Sequence, residues 1–507
     1  MSVSSSNLYA HFQAQLLLRP EKIALTDEAG TTYRFVDLER RSAQLACFLT
    51  TLGIAPGDRI SVQVAKSPQA LCLYLACLRA GFIFHPLNTG YKTQELNYFL
   101  SNAAPAAVIC DEGDASQMAT LCRKHGIAHL LTLNADGSGS LSEQSAGSNA
   151  EFAVVNRAAN DIACLLYSSG TTGVPKGIMV SHGNLLSNGQ SLVTAWGFSE
   201  SDVLLHALPI FHVHGLFVAL SCVFLSGASM QWLANFDSAA VVARLPLSTC
   251  MMGVPTYYVR LLKEAALNKA LCRHMRLFIS GSAPLLSETF NAFESRTGHR
   301  ILERYGMSET GMNTSNPLNG LRKPGTVGPP LPGVEVRVTD DANCELPQGS
   351  IGNLQVRGAN VFSGYWRLPE KTAEDFTPDG FFNTGDKGLI DGDGYIAIVG
   401  RAKDMVITGG LNVYPKEVEL VIDTLTGVQE SAVIGVPHTD FGEAVVAVIV
   451  PIPNAAIDES ALITALKEQL SGFKVPKRIV TLPALPRNTM GKVQKNILRE
   501  QFSHLFG

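Results

Sequence analysis

Thirteen residues, LLYSSGTTGVPKG (165–177), restrict the fold more than any other stretch of this chain. The apolar run 162–167 reads as a buried strand, and Ser168, Ser169, Gly170, Thr171, Thr172 and Gly173 follow as a small polar loop closed by Pro175, Lys176 and Gly177. Glycines let the backbone turn tightly and present its N–H groups. Such groups, with hydroxyls and one Lys, make a cradle for phosphate oxygens. The common P-loop needs Gly before the Lys and Ser or Thr after it; Pro175 and Gly177 stand there instead.

The surrounding chain has the texture of an α/β protein. Helical spacing over 35–52 and 69–80 alternates with strand patterns over 59–65, 82–86, 108–110 and 129–133, which implies parallel sheets covered by helices. Residues 135–149, rich in Gly and Ser, read as a surface loop. A second α/β run places strands at 203–208, 250–254 and 277–279, each followed by a polar or Gly-rich segment: PIFHVHG (209–215), GVPTYY (253–258) and SGSAPL (280–285). Ligands in open α/β sheets sit beyond the C-terminal ends of strands, so these segments are expected to share a site with the phosphate loop. The apolar tract 216–230 is too short to span a bilayer and reads as a core helix. From Gly325 short β segments (334–339, 352–358, 394–399) suggest a small β subdomain; helices 415–422 and 459–470 and strands 430–436 and 444–450 suggest a compact α/β tail.

A net charge of −4 gives no nucleic-acid footprint, and no stretch calls for a membrane. Ten scattered cysteines without a CxxC pair, and no apolar signal region at the N-terminus, suggest buried thiols in a reducing, cytoplasmic setting. At 507 residues more than one domain is expected.

The loop at 165–177 resembles the phosphate loop of the adenylate-forming enzymes, a superfamily of acyl-CoA synthetases, luciferases and peptide-synthetase adenylation domains. Five more segments occur in that family's order, so the resemblance covers essentially the whole chain. ERYGMSET (303–310) resembles its YGxTE segment, with Ser308 in place of the usual Thr. The resemblance implies that Tyr305 stacks on adenine among Glu303, Gly306 and Met307, that Ser308 contacts phosphate, and that Glu309 holds Mg²⁺, a hard ion that takes oxygen ligands. Gly281, Ser282 and Ala283 would line the adenine pocket. TGD (384–386) implies that Asp386 grips the two ribose hydroxyls, with Arg401 assisting. His212 would contact acyl or phosphate groups. GRAKDMVITGG (400–410) resembles the hinge and following loop: Lys403 would be the hinge, and Gly409 and Gly410 would let the pantetheine of CoA pass. LPRNTMGKVQK (485–495) resembles the motif that carries the catalytic Lys, here Lys492. The fold implied is a large N-terminal domain of two α/β subdomains plus a β subdomain (1–402), with a small mobile α+β domain (403–507).

Within the family, segments 206–219, 251–262, 303–317 and 363–376 look most like the malonyl-CoA synthetases. Arg304 supports this physically. A buried unpaired guanidinium costs several kcal/mol, roughly, in a pocket for fatty or aryl acids. It fits a substrate with a second carboxylate, which Arg grips as a bidentate fork and to which Ser282 could add a hydrogen bond. The alternative is that Arg304 points away and pairs with a surface acid. The expected reaction uses MgATP, malonate and CoA, forming malonyl-AMP and then malonyl-CoA, with Lys492 also a candidate for a lysine acetyltransferase. Methylmalonate, oxalate or a short monocarboxylate as substrate, a separate carrier protein as acceptor, and a non-catalytic nucleotide binder are the competing readings; the last would be expected to lack Lys492 or Glu309.

Overall fold

The computed structural model describes residues 5–168, 175–401, 404–408, 411–438, 441–453, 455, 457–470, 472–488 and 491–506, with Ser168 and Asn412 described by backbone alone. The chain divides into two compact units, Met1–Glu335 with Val356–Gly380, and Val336–Gln355 with Phe381–Gly507.

Two sheets organise the first unit. The seven-stranded sheet runs in the order Gly364–Tyr365, Lys176–Ser181, Ile162–Ser168, Ile83–Pro86, Arg59–Gln63, Ala107–Cys110, His129–Thr132. Its strands are parallel from Ile162–Ser168 onward and antiparallel at the other edge. Strands such as Ala107–Cys110 are buried at every residue, as expected where helices cover both faces. Helix Pro68–Ala80 shows how sequence sets such a cover. The Ser67 hydroxyl accepts from the Ala70 N–H, Pro68 occupies the first turn, Gly81 ends the helix at φ 72°, and every residue except Gln69 is buried.

The eight-stranded sheet runs Gly311–Ser315, Leu302–Met307, Leu277–Ser280, Cys250–Gly253, Val203–His206, Ser229–Trp232, Ile23–Thr26, Thr32–Arg34, parallel except at its two edges. Tyr258, Phe278, Phe290 and Phe293 pack in its core. Two expectations are corrected here. The apolar tract 216–230 is not one helix: a π-helix, His214–Ala219, leads into α-helix Leu220–Ser226, Gly227 stops it at φ 72°, and Met230 lies in a strand. Residues 135–149 include helix Ser140–Ser145, because Leu141 finds a buried site and Ser145 bonds back to its carbonyl.

The second unit holds most of a four-stranded sheet, ordered Val334–Thr339, Gly352–Gly358, Phe382–Ile390, Ile396–Arg401. It also holds a second sheet centred on the antiparallel pair Val428–His438 and Gly442–Pro451. Successive side chains of that pair feed opposite faces: Val433, Val445, Ala447 and Ile449 join one core, Ala432, Ile434, Val446 and Val448 another. The division at 335 and 380 differs from the expected boundary at 402. Ladder hydrogen bonds tie Phe382–Ile390 to Ile396–Arg401, and helix Pro415–Ile422 packs against Ile396–Arg401, so these β segments group with the C-terminal part of the chain. The chain is therefore an α/β protein with a large N-terminal and a small C-terminal domain. Among the described residues, no helix is long and apolar enough to cross a membrane.

Candidate active site

The loop expected to bind phosphate follows one strand of an antiparallel hairpin and precedes the other, with Ser168 and Lys176 as Cα partners at its neck. Ser169, Gly170, Thr171, Thr172 and Gly173 lie outside the described residues. The neck is anchored by the Tyr98 hydroxyl, which donates to the Pro175 carbonyl at 2.6 Å. Lys176 is half-buried, its Nζ 3.8 Å from an Asp375 carboxylate oxygen and 4.4 Å over the Tyr365 ring. Burial, with Glu309 and Asp375 nearby, pushes the Tyr365 hydroxyl well above its usual range. Asp375 and Tyr365 were not singled out from sequence; segment 363–376 stood out only by resemblance.

Residues 303–309 form the end of strand Leu302–Met307 and the turn into Gly311–Ser315. Glu303 is buried, and its carbonyl accepts the Asn316 N–H at 2.9 Å. Tyr305 pairs with Thr314 across the hairpin, and the register shifts between Tyr305 and Gly306. A Cβ on Gly306 would lie 2.1 Å from the Gly311 carbonyl oxygen, so only glycine fits that crossing. Met307 and Ser308 are half-buried and Glu309 is buried at 7% exposure. The turn is pinned from behind: the Phe362 N–H donates to the Glu309 carbonyl at 2.8 Å, Asn360 Nδ2 to the Thr310 carbonyl at 2.8 Å, and Asn188 bonds both the N–H and the carbonyl of Met312. Ser308, Glu309, Asn188 and Asn360 line one cavity. Asn188 and Asn360 carried no sequence signal, since their partners are backbone groups more than a hundred or some fifty residues away.

The residues expected to face the acid lie at and beyond the C-terminal ends of the parallel strands. Arg304 is 4% exposed, and among the described residues its Nε and Nη2 have no hydrogen-bond partner. The guanidinium lies on Gly281, where a Cβ would fall 2.3 Å from Arg304 Cζ. Arg304 therefore points inward rather than to a surface acid. Burial pulls it down to about 9, which leaves it cationic at neutral pH. Ser282 holds φ at +73°, a conformation that costs a non-glycine residue energy, and its Oγ is 3.4 Å from His214 Nδ1. Ala283 is half-buried beside it. His214 is buried, and burial together with the charge of Arg304 keeps it neutral. His212 is likewise held down, to about 4, by burial, and its Nε2 is enclosed without a partner among the described residues. It is thus His214, which the sequence offers only as part of PIFHVHG (209–215), that meets Ser282.

In the second unit, Asp386 and Arg401 are Cα partners on adjacent strands, and Arg401 Nε lies 2.7 Å from the buried Asp386 carboxylate. Lys492 is exposed on a tight loop: its N–H donates to Asn488 Oδ1 and its carbonyl accepts the Asn488 N–H, both at 2.9 Å, with Gly491 at φ 74°. Lys403, Gly409 and Gly410 lie outside the described residues. Among the described residues no cluster of three or more His, Cys, Asp or Glu side chains offers a metal cage. Glu309 is an oxygen donor of the kind that fits Mg²⁺ sharing the oxygens of a nucleotide.

Residues 12–366 match the AMP-binding enzyme family and residues 417–492 match the AMP-binding enzyme C-terminal domain. The chain is 34% identical to a malonate–CoA ligase of Arabidopsis thaliana over 484 residues, covering 89% of this chain and 79% of that protein. It is 33% identical to a feruloyl-CoA synthase of Amycolatopsis, covering 93% and 94%. Among solved structures, ATP-bound MatB of Rhodopseudomonas palustris superposes with a TM-score of 0.97 at 50% identity, over 99% of this chain and all of that one. A chain matched over this length belongs to the AMP-binding enzyme family.

Proposed function

We propose that the protein is an AMP-forming malonyl-CoA synthetase. The observation that carries the substrate is Arg304: a buried cation with two donors unpartnered among the described residues, resting on the one residue type that leaves it room. A malonate ion would bring its second carboxylate to this guanidinium while Ser282 and neutral His214 orient it. The malonate–CoA ligase relative and ATP-bound MatB support the acid and the nucleotide.

In the first step a carboxylate oxygen of malonate attacks the α-phosphorus of ATP; the new O–P bond forms as the bond to pyrophosphate breaks. Lys176, the loop hydroxyls and Lys492 would neutralise charge on the phosphoryl oxygens. Magnesium held at Glu309 would supply further positive charge to the phosphates. Tyr305 would stack on adenine and Asp386 would bind the ribose, with Arg401 holding that carboxylate in place. In the second step the CoA thiol adds to the acyl carbon, loses its proton to solvent, and displaces AMP. Lys492 would serve the first step only, with rotation at Lys403 exchanging it for the face that carries Gly409 and Gly410. Lys492 is exposed, as a residue modified by an acetyltransferase must be. Ten unpaired cysteines, eight of them buried, favour the cytoplasm, which subcellular fractionation tests.

The test is pyrophosphate release with ATP and a panel of acids, with and without CoA. Malonate is expected to lead, followed by methylmalonate, because one methyl is worth only about 1–3 kcal/mol. Release led by a monocarboxylate, or release that depends on a carrier protein, would replace this reading.

A further inference from the structure

We propose that Lys66 and His206 are positioning residues for the acid substrate, acting through the backbone of the π-helix that carries His214; the proposal presupposes that this pocket takes the acid. Lys66 follows strand Arg59–Gln63 of one sheet and reaches the end of strand Val203–His206 of the other. Its Nζ lies 2.8 Å from His206 Nδ1, 2.8 Å from the His206 carbonyl and 2.6 Å from the Leu233 carbonyl, and 4.2 Å over the Trp232 ring. Three acceptors satisfy the three N–H bonds of an ammonium.

This arrangement dictates the state of His206. The Gly215 carbonyl can only accept, so His206 carries a hydrogen on Nε2; burial and the neighbouring Lys66 disfavour a second proton on the ring, which leaves Nδ1 to accept from Lys66. That Nε2 is 2.9 Å from the Gly215 carbonyl. Gly215 lies in the first turn of the π-helix His214–Ala219, and a Cβ there would fall 2.0 Å from the Pro209 carbonyl oxygen. The turn is therefore folded as tightly as a backbone permits, and the His206 bond holds it from outside. π turns are rare and concentrate at functional sites. One residue earlier, His214 meets Ser282, which follows the Gly281 on which Arg304 lies. The chain of contacts runs Lys66, His206, Gly215, His214, Ser282, and neither Lys66 nor His206 touches a reacting atom.

The test uses initial rates of the full chain with malonate, ATP and CoA for Lys66→Met, His206→Leu and His206→Gln, with thermal melting of each. In Lys66→Met and His206→Leu the KM for malonate should rise roughly tenfold or more while the KM for ATP changes by less than about twofold. His206→Gln retains an N–H that can reach the Gly215 carbonyl, and should recover most of the loss. If Lys66→Met fails to fold, the His206→Leu and His206→Gln pair decides. Parallel rises in both KM values, or a His206→Gln variant as impaired as His206→Leu, would overturn the proposal. Should the wild type activate no dicarboxylate, the substrate reading fails separately, and the same variants are scored on the acid it does activate.

Discussion

Two arginines of the eight-stranded sheet, at opposite ends of its parallel strands, have opposite fates. Arg276 precedes strand Leu277–Ser280. Its Nε and Nη2 grip Asp202 at 2.7 and 2.8 Å, and Nη1 and Nη2 donate to the carbonyls of Trp196 and Gly197 at 2.9 and 3.1 Å. Arg304, in the neighbouring strand just past its parallel pairing with Leu277–Ser280, leaves Nε and Nη2 without a partner among the described residues. Burial lowers both; for Arg276 the bonds to Asp202 reverse the effect, and for Arg304 nothing comparable does. Arg276, a half-buried charge whose donors are saturated, fastens the scaffold. An unsaturated one is kept at a cost to stability, and a ligand that saturates it recovers that cost on binding.

The largest expected effect lies outside both arginines. Lys492→Ala should lower malonyl-AMP formation by about 10³-fold or more while leaving thioester formation from supplied malonyl-AMP nearly intact. Equal loss in both half-reactions would make Lys492 a general structural residue. Arg304→Ala should lower kcat/KM for malonate roughly 10²–10³-fold and leave propionate or butyrate unchanged or improved, since no unpaired cation remains. Arg304→Lys should recover part of the malonate rate only, because a point charge cannot reproduce the fork. A dicarboxylate-to-monocarboxylate ratio that stays constant across these variants would erase the contrast with Arg276.

Arg276→Ala is the converse experiment. It removes the cation from the Asp202 carboxylate, 3% exposed, which keeps neutral donors such as the Ser199 N–H and the Thr249 hydroxyl, and should cost about 2–3 kcal/mol in denaturant unfolding with that ratio unaltered. The smallest effect is on pH dependence. Folded His212 takes its proton near 4, an unfolded His near 6.5. Below the unfolded value the unfolded chain binds the extra proton, so stability should fall as pH drops from about 6.5 towards 4. Unfolding curves of His212→Asn should be flatter over that window, and curves that superpose on wild type would show that His212 is not the group titrating.

Much of this was legible in the chain because its signals are local. Alternation of helix and strand over 35–133, the strand before Ser168, and the turn residues of ERYGMSET each follow from neighbours within about ten positions. The π-helix was not legible: the run 216–230 is mostly apolar, broken only by small residues such as Ser221, Ser226 and Ser229, and periodicity cannot separate helix from strand when nearly every face is buried. The strand Phe382–Ile390 was hidden because TGD reads as a turn, although only glycine eases the φ of 71° at Gly385 within it.

Sequence by itself determined the family, the α/β class and the inventory of charged and hydroxyl groups, since residue types in order are all that motifs require. Tertiary structure decided what those groups face. That Arg304 turns inward onto Gly281, that His214 rather than His212 meets Ser282, and that Lys66 and His206 close on Gly215 depend on strands brought together from far apart in the chain. Burial and hydrogen-bond saturation, which separate a scaffold charge from a waiting one, are properties of that packing and have no local signature.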